Sequence, residues 1–221
     1  MLEDFPVFIN EEFYTTHVSP QHFDVLLADG WRHFGTHFYR YSIGIYADEL
    51  RRVLPLRVRL ADFVPSKSQQ RVLKRNKDLQ IVFRPIEITP EKIDLFERHK
   101  QRFHHAVPDS LYDFLSFEPA AVPCKALELC IYKDETLLGA TFFDVGESAV
   151  SAVYAMFEPT ETTRSLGIFM MLSTINYAIE TNKTHYYPGY AYIEKSFYDY
   201  KKNFAALEEF DWQGIWSNFK G

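Results

Sequence analysis

Residues 148–181 read SAVSAVYAMFEPTETTRSLGIFMMLSTINYAIET, and they combine a strand, a turn and a long helix. Small and β-branched residues follow Gly146 and predict a strand that ends at Phe157. Glu158-Pro159 and the polar residues after it predict a turn. The segment 165–181 is mostly apolar and contains no proline, which favours a helix.

Strand patterns lie on both sides of this unit. KALELCIY (125–132) and TLLGATFFDV (136–145) precede it, and HYYPGY (185–190) follows the helix. The order β-β-β-α-β predicts an α/β fold with a mixed sheet. It resembles the acetyltransferase-like (GNAT) fold, in which the strands before and after the helix splay apart and hold the donor.

The rest of the chain predicts shorter elements. Residues 1–64 look like short strands and turns, so we expect an N-terminal β-rich subdomain followed by an acetyltransferase-like domain over 65–221. Further predictions are helices at 19–29, 65–76, 89–105 and 194–204, and a strand at 78–88.

Composition excludes several classes of protein. Hydrophobic residues make up 47% of the 221-residue chain, which is enough for a sizeable core and too many for a disordered protein. No apolar run approaches the roughly 20 residues of a membrane-spanning helix. The N-terminal MLEDFPVFINEE lacks the basic start of a secretory signal. We therefore expect a cytoplasmic protein with no membrane partner, in which Cys124 and Cys130 are core thiols.

Positive charge is concentrated between Arg51 and Arg84. This segment holds ten Lys or Arg and two Asp, a net of +8, although the whole chain carries −6. Such segregation predicts an anionic partner for the basic segment. The alternative is an ordinary solvated surface.

The centre of this segment, PSKSQQRVLKRN (65–76), predicts a short basic helix with Ser66 as N-cap and Gln69 as its capping-box partner. At about 100° per residue, four cations fall within one arc of about 100°, and Val72 and Leu73 lie outside it. The four are Lys67, Arg71, Lys74 and Arg75. A stripe of one sign suits a phosphate backbone.

Five blocks in collinear order over roughly residues 23–204 resemble the aminoacyl-tRNA–protein transferases, that is, the arginyl-transferases and their bacterial leucyl-transferring relatives. The blocks are LLADGWRHFGTHFYRY, LPLRVRLADFVPSKSQQRVLKRN, SAVYAMFEP, SLGIFMMLSTINYA and HYYPGYAYIEKSFYDYKKNF. The resemblance implies an acetyltransferase-like fold. It also implies transfer of Arg or Leu from charged tRNA to the N-terminal α-amine of proteins with an acidic first residue, which marks them for degradation (the N-degron pathway). The expected partners are aminoacyl-tRNA, bound by the basic helix, and these acceptor proteins.

The chain departs from this family in its cysteines. Members often carry paired cysteines near the N-terminus and again before the Pro-Leu-Arg block, associated with a metal or iron–sulfur centre. This chain has no cysteine before Cys124, and residues 41–46 (YSIGIY) occupy the second place. We therefore expect no metal or iron–sulfur centre, with aminoacyl-tRNA as co-substrate and no cofactor.

The chain also contains residues suited to aminoacyl transfer. The ester is already activated, and an α-amine with a pKa of about 7.7–8.0 is partly neutral at pH 7, so the reaction needs positioning and a proton acceptor. Glu158 and Tyr154 are the predicted catalytic residues. A carboxylate at a strand end suits Glu158 to accept the amine proton or to hold the donor's α-amine. The alternative is that Glu158 is an exposed turn residue.

Three predicted substrate-binding residues lie at the start of the long helix: Arg164, Ser165 and Gly167. A helix N-terminus with a glycine permits close approach of a terminal phosphate or ribose. The alternative is that Ser165 is an ordinary cap.

Four further residues complete the predicted substrate site. Tyr187 and Tyr190 are candidates to stack the terminal adenine of tRNA, or else they pack as strand aromatics. Arg57 and Arg59, together with Arg164, are candidates for the cation that faces an acidic acceptor. Arg32 belongs to a Gly-Trp-Arg block of the family that we interpret as packing.

Two other functions remain open. One is a non-catalytic relative that binds tRNA or RNA. The other is acetyl-CoA-dependent N-acetylation, which residues 164–167 disfavour because they lack a Gly-rich pyrophosphate signature.

Overall fold

The computed structural model describes residues 8–103 and 107–220. Its helices are α1 (Pro20–Ala28), α2 (Lys67–Arg75), α3 (Pro90–Lys100) and α4 (Leu166–Glu180), with 3₁₀-helices at Leu60–Asp62, Leu111–Asp113 and Phe197–Asn203. Its strands are β1 (Asn10–Tyr14), β2 (Arg32–Phe34), β3 (His37–Tyr41), β4 (Ile43–Tyr46), β5 (Glu49–Arg59), β6 (Gln80–Pro85), β7 (Ala126–Lys133), β8 (Thr136–Val145), β9 (Ala149–Phe157), β10 (His185–Tyr192), β11 (Leu207–Phe210) and β12 (Trp216–Asn218).

Nine strands of the described chain form one mixed sheet. Eight follow the order β12-β11-β5-β10-β9-β8-β7-β6, and β4 pairs with β5. β9 and β10 run parallel, and the other strand pairs of this sheet are antiparallel. A parallel pair needs a crossover, and α4 supplies it. The predicted mixed α/β sheet and the β-β-β-α-β order are confirmed.

The helices begin where their capping residues predict. Ser19 accepts a hydrogen bond from the backbone N–H of His22 and Pro20 opens α1. Ser66 and Gln69 form the predicted capping box of α2. α3 ends at Lys100, earlier than the predicted 105, and residues 104–106 lie outside the described part of the chain.

α3 and α4 lie on opposite faces of the main sheet. Because successive strand residues face opposite sides, Leu129 and Ile131 pack with α4, whereas Cys130 between them packs with α3. Cys124 lies in a third cluster, with residues of α1. Both cysteines are buried free thiols, as predicted.

The N-terminal segment contributes to two sheets. β1, β3 and β2 form a separate three-stranded sheet, whereas β5 is hydrogen-bonded between β11 and β10 in the main one. The pairing of β5 with β10 therefore joins the two proposed domains across their boundary at residue 64. The division of the chain at that residue stays a prediction. The expectation that no secretory signal is present falls mainly on residues 1–7, which lie outside the described residues. No described helix has the length and apolarity needed to cross a membrane.

The C-terminal segment differs from its prediction. Residues 197–203 form a 3₁₀-helix where an amphipathic α-helix was expected over 194–204. A Ser196 capping box starts it, and Phe204 is extended. The sequence analysis did not identify β11 and β12, because four and three residues are too short for a clear period-two pattern.

Replacing Lys92 with methionine should lower the free energy of unfolding by about 1.5–3 kcal/mol, because it removes one of two charged hydrogen bonds to the buried Glu128, while Arg84 Nε remains 2.7 Å from Glu128 Oε1. Lys92 and Glu128 are both fully buried, and the Lys92 Nζ lies 2.6 Å from Glu128 Oε1. Urea denaturation at pH 7 measures the change. The matched control is Lys125→Met at an exposed lysine, where we expect less than about 0.5 kcal/mol. Equal losses of stability in the two variants would contradict a stabilising role for the buried Lys92–Glu128 pair.

Candidate active site between the splayed strands

β9 and β10 separate soon after they meet. They are paired at three positions, from His185–Ala149 to Tyr187–Ser151. β9 then continues to Phe157 and β10 to Tyr192 without pairing to each other. The predicted splay is present, and the two strands leave a gap in the sheet beyond Ser151 and Tyr187.

A bulge bends β9 at the point of separation. The register between β8 and β9 places Tyr154 opposite Phe142 and Ala152 opposite Phe143, so Val153 is an extra residue. A bulge of this kind kinks a strand and increases its twist. The opening holds a cavity of about 850 Å³, lined by β9, β10, the start of α4 and the 3₁₀-helix 197–203.

The N-terminus of α4 opens into this cavity. Ser165 has φ 54° and ψ 48°, a left-handed conformation, and its side chain makes no capping bond. The first helical bond runs from Phe169 N–H to Ser165 O, so the N–H groups of residues 166–168 have no partner within the helix. These residues line the cavity, so the positive end of the helix dipole faces it.

Gly167 has a packing role at this turn. A Cβ added there would lie 3.2 Å from the Phe157 ring, closer than ordinary contact. The small residue therefore lets the start of α4 approach the end of β9. Ser165 and Gly167 both line the cavity, as the sequence predicted for substrate-binding residues.

Tyr154 projects from the bulged part of β9 into the cavity. Its ring stacks on Phe114 with centroids 4.0 Å apart. Its hydroxyl is buried and has no hydrogen-bond partner among the described residues. Burial raises the pKa of this phenol, so the hydroxyl keeps its proton at neutral pH and can donate it in a hydrogen bond.

Glu158 follows β9 but is not part of the cavity lining. Its carboxylate accepts a 2.8 Å bond from Arg98 Nε and a 2.9 Å bond from the Thr160 hydroxyl. Partial burial acts to raise the pKa of Glu158, but the hydrogen bonds from Arg98 and Thr160 outweigh it, and the pKa is lowered. A carboxylate held ionised in this way is a weak proton acceptor.

The three arginines predicted to face an acidic acceptor already bind carboxylates. Arg57 lies 2.6 Å and Arg59 2.7 Å from Glu208 oxygens. Arg164 forms a two-bond contact with Asp78 at 2.8 and 2.9 Å. None of the three lines the cavity.

The two tyrosines of β10 have different surroundings. Tyr190 lines the cavity, and its hydroxyl donates a 2.6 Å bond to Gly30 O. Tyr187 is buried and packs edge-to-face on Trp216, with centroids 5.8 Å apart, outside the cavity lining. The structure therefore brings one of the two predicted stacking residues into the cavity.

The four cations of α2 are exposed. Val72 and Leu73 pack against the core, and the four charged side chains make no ion pair with a carboxylate of the described chain. The four are Lys67, Arg71, Lys74 and Arg75. In contrast, Arg51, Arg52, Arg57, Arg59 and Arg84 of the same basic segment are all ion-paired.

α2 contacts segments on two sides of the cavity. Gln69 Nε2 donates to Asn203 O at the end of the 3₁₀-helix, 3.2 Å away. Arg75 donates to Thr163 O in the turn before α4, and Asn76 donates to Arg164 O. The basic helix thus lies next to the segments that border the opening.

Sequence analysis missed two cavity residues with unbalanced positive charge. Arg32 from β2 and Lys201 from the 3₁₀-helix both line the cavity. The Gly-Trp-Arg block drew attention to Arg32, but its isolation from carboxylates depends on tertiary contacts. No motif indicated Lys201.

His33, Cys124 and Asp144 form a buried cluster near the cavity, with one potential ligand atom of each within 4.8 Å of the others. His33 Nε2 lies 3.0 Å from Asp144 Oδ2, and Nδ1 lies 2.9 Å from Gly35 O. Burial acts to lower the pKa of His33, but Asp144 and Gly35 outweigh it and raise that pKa. Both ring nitrogens of His33 contact oxygen acceptors, and a nitrogen that donates its proton has no lone pair for a metal. Burial also raises the pKa of the Cys124 thiol.

The cysteines do not fit an iron–sulfur centre either. Cys124 and Cys130 are packed in different hydrophobic clusters, and four thiolates are the usual requirement. The absence of a cofactor stays a prediction.

Comparison with known families gives a match over slightly more than half of the chain. The model of the arginine-tRNA-protein transferase C-terminus matches residues 91–211. The aspartate/glutamate leucyltransferase of Pseudoalteromonas atlantica is 32% identical over 206 residues, which cover 88% of this chain and 84% of the relative. That of Aeromonas salmonicida is 30% identical and covers 89% and 81%.

Two solved structures share the fold at low identity. L-PGS from Bacillus licheniformis has a TM-score of 0.50 and 12% identity, over 75% of this chain and 59% of the solved one. FemX has a TM-score of 0.50 and 11% identity, over 80% and 61%. This chain thus spans about three fifths of either solved chain.

The family match covers more than half of the chain, and it includes the splayed strands, the start of α4 and the 3₁₀-helix 197–203, whereas the cavity residues of β2, β3 and β5 precede it. The full-length relatives extend the similarity to the N-terminal segment. The chain belongs to the arginine-tRNA-protein transferase family and is an aminoacyltransferase that acts between aminoacyl-tRNA and proteins.

Proposed function

We propose that this enzyme transfers leucine from leucyl-tRNA to the N-terminal α-amine of proteins that begin with Asp or Glu. The observation that carries the proposal is the cavity between β9 and β10, which has the open N-terminus of α4 on one wall and the basic helix α2 beside it. Relatives that cover most of the chain carry the name aspartate/glutamate leucyltransferase. The products would be substrates for N-degron proteolysis in the cytoplasm, where charged tRNA is used.

The reaction needs few chemical groups from the protein. The α-amine nitrogen attacks the ester carbonyl, an amide bond forms, and the ester oxygen leaves as a hydroxyl of the terminal ribose. The proton released by the amine goes to that oxygen. The contribution of the cavity is to hold amine and ester together and to exclude bulk water.

The cavity favours leucine over arginine as the transferred residue. Two carboxylates line it, Asp144 and Glu161, and both are engaged: Asp144 with His33 at 3.0 Å and Glu161 with Arg164 at 3.0 Å. An arginyl group would need an unpaired carboxylate. The apolar lining residues Phe103, Phe157, Met170 and Met171 suit a branched aliphatic side chain instead.

The tRNA is held by separate elements. The exposed cations of α2 bind the phosphate backbone near the acceptor end, and the free N–H groups at the start of α4 bind the terminal phosphate or ribose. Tyr190 is the candidate to stack the terminal base, since it lies in the cavity and Tyr187 does not.

Tyr154 is the proposed catalytic residue. Tyr154 lines the cavity, and its buried hydroxyl has no partner among the described residues and stays protonated, so it is available to donate a hydrogen bond to the oxyanion that develops on the ester carbonyl. The role of Glu158 as proton acceptor stays a prediction, and its lowered pKa disfavours it. Through Arg98 and Thr160, Glu158 is suited to hold the turn before α4 in place.

A transfer assay tests the proposed function. The enzyme is incubated with an Asp-starting peptide and with tRNA charged with labelled leucine or labelled arginine. We expect label in the peptide with leucine. Binding of tRNA without transfer of either amino acid would favour a non-catalytic tRNA-binding protein, and modification that requires acetyl-CoA would favour an N-acetyltransferase.

Reversing the charge of Arg71 and Lys74 to Glu should weaken tRNA binding and reduce the slope of log K against log salt by about 1.5–2, since two phosphate contacts are lost. Filter binding between 50 and 200 mM salt measures the slope. The matched control reverses Lys125 and Lys133, two exposed lysines outside α2, and should keep the wild-type slope. An equal loss in both variants would indicate a general charge effect and would refute the α2 site.

Tyr154→Phe should reduce kcat by about 10²–10³-fold, because one oxyanion donor is lost while the ring and its packing remain. Stability should not fall, since the hydroxyl has no partner in the free enzyme. Single-turnover transfer and thermal melting measure the two effects. Tyr112→Phe, at an exposed tyrosine outside the cavity, is the control. Wild-type kcat in Tyr154→Phe would exclude the hydroxyl from catalysis.

A further inference from the structure

Arg32 is a buried cation with unused hydrogen-bond donors. The residue is 6% exposed, and its Nη1 donates a 2.6 Å bond to Trp31 O. Its Nε and Nη2 have no partner in the described chain. These two nitrogens share one edge of the guanidinium, the edge that binds both oxygens of a carboxylate side by side.

Lys201 adds a second basic side chain to the same cavity. Its Nζ donates a 2.8 Å bond to Tyr190 O, and Arg32 lies over the Tyr190 ring with its Cζ 5.5 Å from the centroid. Burial, and then repulsion from Arg32, lowers the pKa of Lys201 to about 7. Neither Arg32 nor Lys201 forms an ion pair with a carboxylate of the described residues. The charge of Asp144 attracts Arg32, but its carboxylate binds His33 instead.

A buried arginine without a counter-charge is costly, and burial together with Arg32 leaves Lys201 only partly protonated near pH 7. An anionic ligand would remove the first cost and favour the protonated form of Lys201. We infer that Arg32, with Lys201 beside it, forms the subsite that binds the side-chain carboxylate of the acceptor's first residue. This inference rests on the proposed function, and it assigns the acidic preference to residues that the sequence analysis interpreted as packing or did not mention.

The surroundings favour a small carboxylate over a phosphate of tRNA. The Cζ of Arg32 lies 5.0 Å from the Tyr187 ring centroid and 5.5 Å from that of Tyr190, and the residue is only 6% exposed. Limited access of this kind suits a compact side-chain group better than a polynucleotide backbone. The open N–H groups of α4 and the exposed cations of α2 provide separate places for phosphates.

Peptide binding in the absence of tRNA tests the subsite. Amidated peptides that begin with Asp, Glu, Asn or Leu are titrated calorimetrically into wild-type enzyme and Arg32→Met. We expect wild type to bind the Asp peptide about 10–100-fold more tightly than the isosteric Asn peptide, as for a buried charged hydrogen bond. Arg32→Met should bind the two peptides equally and should melt no lower than wild type, since it loses an uncompensated charge.

Further variants keep the test decisive. Arg32→Lys retains charge without the two-nitrogen edge and should show an intermediate Asp preference. Lys201→Met should reduce the preference less than Arg32→Met does. Arg52→Met is the matched control, since Arg52 is exposed and lies 3.0 Å from Glu194, outside the cavity. It should keep the wild-type preference.

Transfer rates separate this inference from the proposed function. With leucyl-tRNA, kcat/KM for the Asp peptide should fall about 10–100-fold in Arg32→Met, while the value for the Asn peptide stays unchanged. Retention of the Asp preference in Arg32→Met, or a loss of tRNA affinity with the preference intact, overturns the subsite. Transfer without any acidic preference also refutes it and leaves the proposed function standing. Asp-selective binding without transfer refutes the function and supports the subsite.

Discussion

The parting of β9 and β10 is the constraint on which the site depends. A parallel pair that continued along both strands would close the sheet with backbone hydrogen bonds and leave no room for a substrate. Here the pairing stops at Tyr187–Ser151, and the bulge at Val153 bends β9 away. Since α4 connects the same two strands, the short turn 158–165 brings its N-terminus to the opening. The separation of the strands therefore provides both the cavity and the position of the helix dipole.

Buried charges in the structural core and in the proposed binding site differ in whether they have a partner. Lys92 and Glu128 are fully buried and lie 2.6 Å apart, so each desolvated charge has its partner within the fold. Arg32 is almost as deeply buried, yet two of its nitrogens have no acceptor within residues 8–103 and 107–220. Leaving a buried charge unpaired costs several kcal/mol, which the fold must offset elsewhere. Stability alone would favour an apolar residue at this position, so the arginine is better explained by a ligand that binds there.

Sequence reasoning predicted the features that local patterns encode. The order of strands around α4, the start of α1 at Pro20 and the capping box at Ser66 all follow from periodicity and cap chemistry, and the structure agrees. Partners of charged residues could not be predicted, because they lie far away in sequence: Arg57 and Arg59 bind Glu208, about 150 positions later. For the same reason the sequence did not reveal the role of Arg32 and Lys201. Only the three-dimensional structure shows which cations have no carboxylate nearby.

The N-terminal sheet completes the site through contacts that fix Arg32. Arg32 and His33 are adjacent on β2 and therefore face opposite ways. His33 binds Asp144 of β8 at 3.0 Å, which joins the small sheet to the main one, while Tyr190 of β10 donates to Gly30 just before the strand. Gly30 has φ 85°, and a Cβ there would lie 3.0 Å from the Trp212 ring. The backbone conformation just before β2 therefore requires a glycine. The buried ion pair is thus better explained as a support that orients the neighbouring arginine toward the cavity than as a metal site. Because these supports come from β8, β10 and the C-terminal segment, the orientation of Arg32 depends on the whole fold.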